Sequence, residues 1–186
     1  MHHHEDLLEQ LTAEHRELRT RFSEMQGLPL GDPARGELAD LIIDRLVRHT
    51  VAEERHLYPL ARARLADGPE VVARELADHH GVEALLEELR LTGADSNRFD
   101  RLMARVIEEV TRHAGEEEAR LFPAVRAVTT PEELRALGDR ARETEARDSG
   151  RPRHQSPTAR PADRLPPPER SLGERLKAFL TPGAMG

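Results

Sequence analysis

Cysteine is absent from the 186-residue chain, which removes disulfides, thiolate zinc sites, iron–sulfur clusters and Cys nucleophiles in one step. Tryptophan is absent as well, Tyr58 is the single tyrosine, and aromatic residues make up 3% of the sequence. So few rings argue against a β-sandwich, whose strands draw on aromatic and β-branched residues. They also argue against the base-stacking platforms of proteins that bind single-stranded nucleic acid. The formal net charge is −7 and the pI is near 5.8, so there is no basic field to attract phosphate backbones, and no nucleic-acid partner is expected. No apolar run approaches the ~20 residues that span a bilayer. The start, Met1-His2-His3-His4-Glu5-Asp6, lacks the apolar stretch of a secretory signal, and the expected compartment is the cytoplasm. With 37% hydrophobic and 34% charged residues, the chain can build one domain with a modest core plus a tail. Any metal it holds must sit on histidine nitrogen and carboxylate oxygen.

Apolar residues recur every three or four positions over long stretches with few breakers, which is a helical pattern. A first helix is expected from about Glu5 to Gln26, with Leu8, Leu11, His15, Leu18, Phe22 and Met25 on one stripe. Gly27, Pro29, Gly31, Asp32 and Pro33 end it. The second, about Ala34 to Arg64, aligns Leu38, Ile42, Leu46, His49, Glu53 and Leu57, with a kink or break expected at Pro59. The third, about Glu70 to Leu91, aligns Val72, Leu76, His79, Val82, Leu86 and Leu89. The fourth, about Asn97 to Val128, aligns Leu102, Val106, Val110, His113, Glu117 and Leu121. Thr130-Pro131-Glu132-Glu133 supplies a Thr cap, a Pro at the first helical position and a Glu at the third, opening a short polar helix to about Arg147. The expected fold is all-α: an up-down-up-down four-helix bundle over residues 1–147 with a short fifth helix. Residues 148–186 are Pro- and Arg-rich and read as a disordered, flexible tail. Within it, Ser171 to Leu180 is amphipathic, suited to docking loosely on the bundle, or else to a protein partner or a membrane surface, or else disordered like the rest.

A repeat with an offset of 64 runs through the chain. It relates His15 to His79, His49 to His113, Glu53 to Glu117, Leu57 to Leu121, Tyr58 to Phe122 and Pro59 to Pro123. The apolar stripe follows the same shift, Leu38 to Leu102, Ile42 to Val106 and Leu46 to Val110, so the chain is a duplicated helical hairpin. The polar members lie on the inward stripe: His49 and Glu53 stack below Ile42 and Leu46, and His113 and Glu117 repeat the arrangement. A lone histidine on an apolar stripe is ordinarily a hydrogen-bonded core residue. Four histidines and two glutamates in one register are another matter. Burying them dry is costly unless charge compensates, and no Lys or Arg shares the stripe at this level. Four nitrogens and two carboxylates suit two cations, each held by two histidines, with the glutamates bridging.

Neighbouring donors compete for roles. His80 is an alternative to His79, but His79 and His113 are 34 apart, as are His15 and His49. His56 follows Glu53 by three on the same face and is a candidate extra ligand or hydrogen-bond donor to one, or else a partly exposed histidine. Glu83 is a candidate of the same kind, or else a surface carboxylate. Tyr58 is expected to pack beneath the site, with metal ligation or proton donation as the alternative. His2-His3-His4 lies outside the pattern.

The order His, His-x-x-x-Glu, His, His-x-x-x-Glu, with Leu57-Tyr58-Pro59 and Leu121-Phe122-Pro123 after the glutamates, resembles the hemerythrin-like HHE cation-binding domain family over about Asp6 to Arg147. The resemblance implies a bundle holding an oxo- or hydroxo-bridged pair of non-haem irons on His15, His49, Glu53, His79, His113 and Glu117. Oxygen-carrying hemerythrins have a His-x-x-x-His pair in the third helix, where Glu83 follows His79 here. They also have an Asp five residues after the last histidine, where Glu117 follows His113 by four.

Imidazole and carboxylate also suit zinc and manganese. Open positions on ferrous ions point to dioxygen, peroxide or nitric oxide as the small ligand. The implied role is sensing, scavenging or iron handling in oxidative stress, with catalase-like peroxide decomposition as the candidate activity. The alternative is a regulatory or interaction module in which metal only stabilises the bundle.

Overall fold

The computed structural model describes residues 5–149; of the tail expected over residues 148–186, Asp148 and Ser149 instead close the last helix, and 150–186, including the segment 171–180, lie with residues 1–4 outside the described residues. Four antiparallel rods form the bundle. The first is α1 (Leu7–Gly27), and the third is α4 (Gly68–Arg90). The second runs through α2 (Ala34–Ala52), a π-helical turn π1 (Glu53–Leu57) and α3 (Tyr58–Arg64). The fourth repeats this as α5 (Asn97–Glu116), π2 (Glu117–Leu121) and α6 (Phe122–Val128). A fifth helix, α7 (Pro131–Ser149), packs along α1. No strand occurs among the described residues.

The helix ends follow local chemistry. Asp6 caps α1 by accepting from the Glu9 N–H, while Glu9 accepts from the Asp6 N–H. Thr130 and Glu133 make the same reciprocal pair at the start of α7, as the sequence pattern there predicts. At the loop end, Gly31 takes φ 84° between α1 and α2. Arg35, buried despite its charge, ties the two loops of that end together. It donates to the carbonyls of Leu28 and Ala94 and pairs with Asp100.

Pro59 and Pro123 do not break their helices. Lacking an N–H, each proline cannot continue the i→i−4 ladder. The chain instead widens into a π turn just before it: the Tyr58 N–H bonds the Glu53 carbonyl and the Phe122 N–H bonds the Glu117 carbonyl. Each rod then resumes as α-helix with the proline in its first turn, where a missing donor costs nothing.

Two apolar clusters fill the bundle. One, toward the loops, is built on Leu18, Phe22, Ile42, Leu86, Phe99 and Val106. The other, toward α7, is built on Leu7, Leu11, Leu57, Val72, Leu121 and Leu134. Leu134 and Ala141 are buried in it, so the mostly polar α7 is an integral wall of the bundle. Its Gly138 presses on the chain start: a Cβ there would lie 2.8 Å from the Glu5 carbonyl oxygen and 3.1 Å from the Asp6 carbonyl carbon. Glycine to alanine inside a helix ordinarily stabilises by ~1 kcal/mol. Gly138→Ala is instead expected to lower the melting temperature, because backbone must yield. A calorimetric scan showing an unchanged or raised melting temperature would contradict this packing.

Candidate metal centre

Between the two apolar clusters lies one polar layer. His15 comes from α1, His49 from α2, His79 from α4 and His113 from α5, while Glu53 and Glu117 open the two π turns. All six are buried, and both glutamates are 0% exposed. His80 is exposed and outside the layer.

The four imidazoles point Nε2 inward. His49 Nε2 lies 3.0 Å and His79 Nε2 3.2 Å from opposite oxygens of Glu53. Glu117 Oε2 lies 3.5 Å from His15 Nε2 and 3.7 Å from His113 Nε2. The ring pairs are alike in both halves, His15 with His49 at 4.6 Å and His79 with His113 at 4.9 Å, each inclined by 67°. Among the described residues, three sets of atoms are close enough to hold a metal ion: His15, His49, Glu53 and Glu117; Glu53, His79 and His113; and Glu75, His113 and Glu117.

The Nδ1 atoms face outward, each against a carboxylate. His15 meets Glu118 at 2.9 Å, His49 meets Glu14 at 2.8 Å and His79 meets Glu54 at 3.0 Å. His113 has Glu75 at 3.3 Å and Asp78 at 3.5 Å. Such carboxylates fix the ring tautomer and leave the inner lone pair for a cation. Glu14, Glu54, Asp78 and Glu118 were not among the residues singled out from spacing. Their signal was present, however: Glu14 with Asp78 and Glu54 with Glu118 obey the same offset of 64. On a regular α-helix Glu53 and Glu54 would point about 100° apart. The π turn lets the first enter the layer while the second reaches a histidine of the other hairpin, a use typical of π turns at functional sites. Glu75 has no such mate, since Leu11 stands opposite.

Tyr58 belongs to the layer. Its hydroxyl lies 2.9 Å from His79 Nε2 and donates to Glu117 Oε1 at 3.2 Å. Its mate Phe122 carries no oxygen and stacks on His15 at 5.8 Å. His56 is half-buried outside the layer, its pKa lowered by burial and by Arg55 and Arg140. Glu83 is also outside, within Coulombic reach of Glu87 and Glu54.

Without a cation, charge within the layer is set by which of the six groups carry protons. Burial opposes a charge on His49 and His79, but Glu53 and the outer carboxylates outweigh it and hold them at about 10 and about 9. Burial and His49 push His15 down to about 4. His49 and His79 keep Glu53 well below the usual carboxylate range against its burial. Burial and the Glu53 charge push Glu117 well above that range. Among the described residues, both oxygens of Glu53, one of Glu117, and the Nε2 atoms of His15 and His49 have no hydrogen-bond partner. His49 Nε2 is near Glu53 but out of line for a bond. Buried polar atoms are rarely left this way, and here they converge on one point. The donor set fits a divalent cation of borderline hardness.

A family model for the hemerythrin HHE cation binding domain matches residues 6–125. The fold is similar to the crystal structure of a hemerythrin HHE cation binding domain-containing protein, an Rv2633c homolog, from Mycobacterium kansasii. That match has a TM-score of 0.64 and 25% identity, covering 75% of this chain and 85% of that one. No curated protein matches the sequence significantly. No helix among the described residues is long and apolar enough to cross a membrane. The buried layer of histidine and glutamate and the matched family model lead to one assignment: the chain belongs to the hemerythrin HHE cation-binding domain family.

Proposed function

We propose that the chain holds two iron ions on His15, His49, Glu53, His79, His113 and Glu117 and uses them to meet dioxygen, peroxide or nitric oxide. One observation carries this reading: four imidazole nitrogens converge on two fully buried carboxylates, three of whose four oxygens have no hydrogen-bond partner among the described residues. Bound iron would supply one-electron chemistry toward small oxidants. The chain's own residues do the rest. The apolar clusters on both sides exclude bulk water, and the outer carboxylates orient the rings. The Tyr58 hydroxyl, held protonated by burial and by Glu53 and Glu117, keeps a proton at the layer. The opening beside His49, bounded by Glu14, Leu18, Arg45, Arg48 and Glu145, has a volume of about 10 Å³. That is room for about one water, on the outer side of the ring where Glu14 meets Nδ1.

Protein purified from iron-replete cells is expected to contain two irons per chain and to show near-ultraviolet charge-transfer absorption that changes when peroxide is added. Metal-free protein from such cells would overturn the proposal. Metal uptake is also expected to strengthen as pH rises. In the metal-free chain His49 and His79 stay protonated up to about 10 and about 9, and a cation must displace those protons. Apparent affinity should therefore climb from pH 6 to 9 by roughly tenfold per pH unit for each proton displaced. Chelator competition with Zn²⁺ across that range measures it, and a flat profile contradicts the charge assignment.

A further inference from the structure

Glu75 is a buried carboxylate that the duplication does not account for. It precedes His79 by four residues on α4, so both side chains leave the helix on one face, and it is 9% exposed. Its equivalent under the offset of 64 is Leu11, wholly buried in the apolar cluster toward α7. One hairpin fills this place with leucine while the other buries an acid there, which is costly unless something compensates.

The outward place behind His113 is already taken. Asp78, the equivalent of Glu14 behind His49, lies 3.5 Å from His113 Nδ1 and is held by Arg112 at 2.9 Å. Glu75 Oε2 lies 3.3 Å from the same nitrogen. Among the described residues that nitrogen nevertheless has no hydrogen bond, so Glu75 stands beside the ring and out of line for one. An oxygen of Glu75, an oxygen of Glu117 and a nitrogen of His113 all lie within 4.8 Å of one another. Glu117 Oε2 is also without a hydrogen bond among the described residues.

Resting on the cation site proposed above, we infer that Glu75 is a further metal ligand, giving a carboxylate oxygen to the ion that His113 and Glu117 hold. Charge favours this role. Two divalent ions bring four positive charges to the layer, and Glu53 and Glu117 together return two. A third carboxylate narrows that gap, and the ion in turn compensates the burial of Glu75.

Glu75→Gln and Glu75→Leu separate a ligand from a group that only steadies the ring. The glutamine amide oxygen can still accept from Nδ1–H but is a weak ligand beside a carboxylate. Leucine, the residue of the other hairpin, does neither. Both variants of the full-length chain are expected to lose more than about 100-fold in affinity for one Zn²⁺ in chelator competition. Asp78→Asn, changed at an outer partner, should lose roughly 10–100-fold. Circular dichroism of the metal-free variants checks the helices. Independently of any variant, a crystal structure of the Zn²⁺-loaded chain is expected to place a Glu75 oxygen ~2.0–2.2 Å from an ion that also carries His113. Affinity kept by Glu75→Gln but lost by Glu75→Leu makes Glu75 a partner of the ring and overturns the assignment. So does a Glu75 oxygen outside bonding distance of every ion. Two ions bound without Glu75 overturn this inference alone. A single ion bonded to Glu75 overturns only the two-ion reading, and uptake of none overturns both.

Discussion

Glu53→Ala is expected to abolish binding of both metal ions, where most single substitutions at the layer would weaken one. Its carboxylate spans the halves, one oxygen 3.0 Å from His49 Nε2 and the other 3.2 Å from His79 Nε2, and it belongs to two of the three candidate metal sets. Loss of an outer hydrogen-bonding partner costs roughly 10–100-fold in metal affinity, and loss of a shared donor should exceed that for each ion. The histidines lose part of their counter-charge as well: Glu53 helps to hold His49 and His79 protonated, and without it only Glu14 and Glu54 oppose the burial penalty on their charge. Metal analysis after dialysis against a weak chelator, with circular dichroism to confirm the helices, gives the test. Retention of two ions would remove Glu53 from the centre. His56→Ala serves as the contrast: half-buried and outside the layer, it is expected to leave both ions in place.

Stripping the metal is expected to cost the protein much of its thermal stability. A ligand at a thousand times its dissociation constant stabilises the fold by ~4 kcal/mol, so two such ions contribute ~8 kcal/mol. For a domain of this size each kcal/mol shifts the melting temperature by ~2–4 °C, which puts the expected fall at about 15–30 °C. The layer explains why the metal-free chain has little to offset this. Two fully buried glutamates face each other across four imidazoles, and burial together with the Glu53 charge drives Glu117 to keep its proton. Protons on His49, His79 and Glu117 balance the charge but leave carboxylate oxygens without hydrogen bonds. Calorimetric scans with and without a chelator decide it; coincident transitions would mean that the layer stands on its own.

Much of the fold was legible because helical periodicity is local. The stripes through Leu8 to Met25 and Leu102 to Leu121 mark buried faces wherever those helices pack. The Thr130 cap is likewise written in four consecutive residues. The expected interruption at Pro59 is a π turn in the structure, with the helix continuing beyond it. Sequence supplies the missing N–H; whether the ladder breaks or widens depends on the packing around the proline. The buried Arg35 was invisible for a related reason, since its partners Leu28, Ala94 and Asp100 come from separate loops and helices.

The offset of 64, by itself, determined which six side chains share a level, because register and inward direction follow from helix geometry and duplication alone. It could not determine which further groups reach that level. That Tyr58 reaches His79, that Glu75 reaches His113, and that Arg19 caps the carboxylate behind His15 are contacts between helices, set by rotation and crossing of whole rods. Interactions within one helix repeat every three or four residues and can be read along the chain. Interactions across the bundle depend on distances of a few ångströms between segments far apart in sequence, and only the packed structure fixes those.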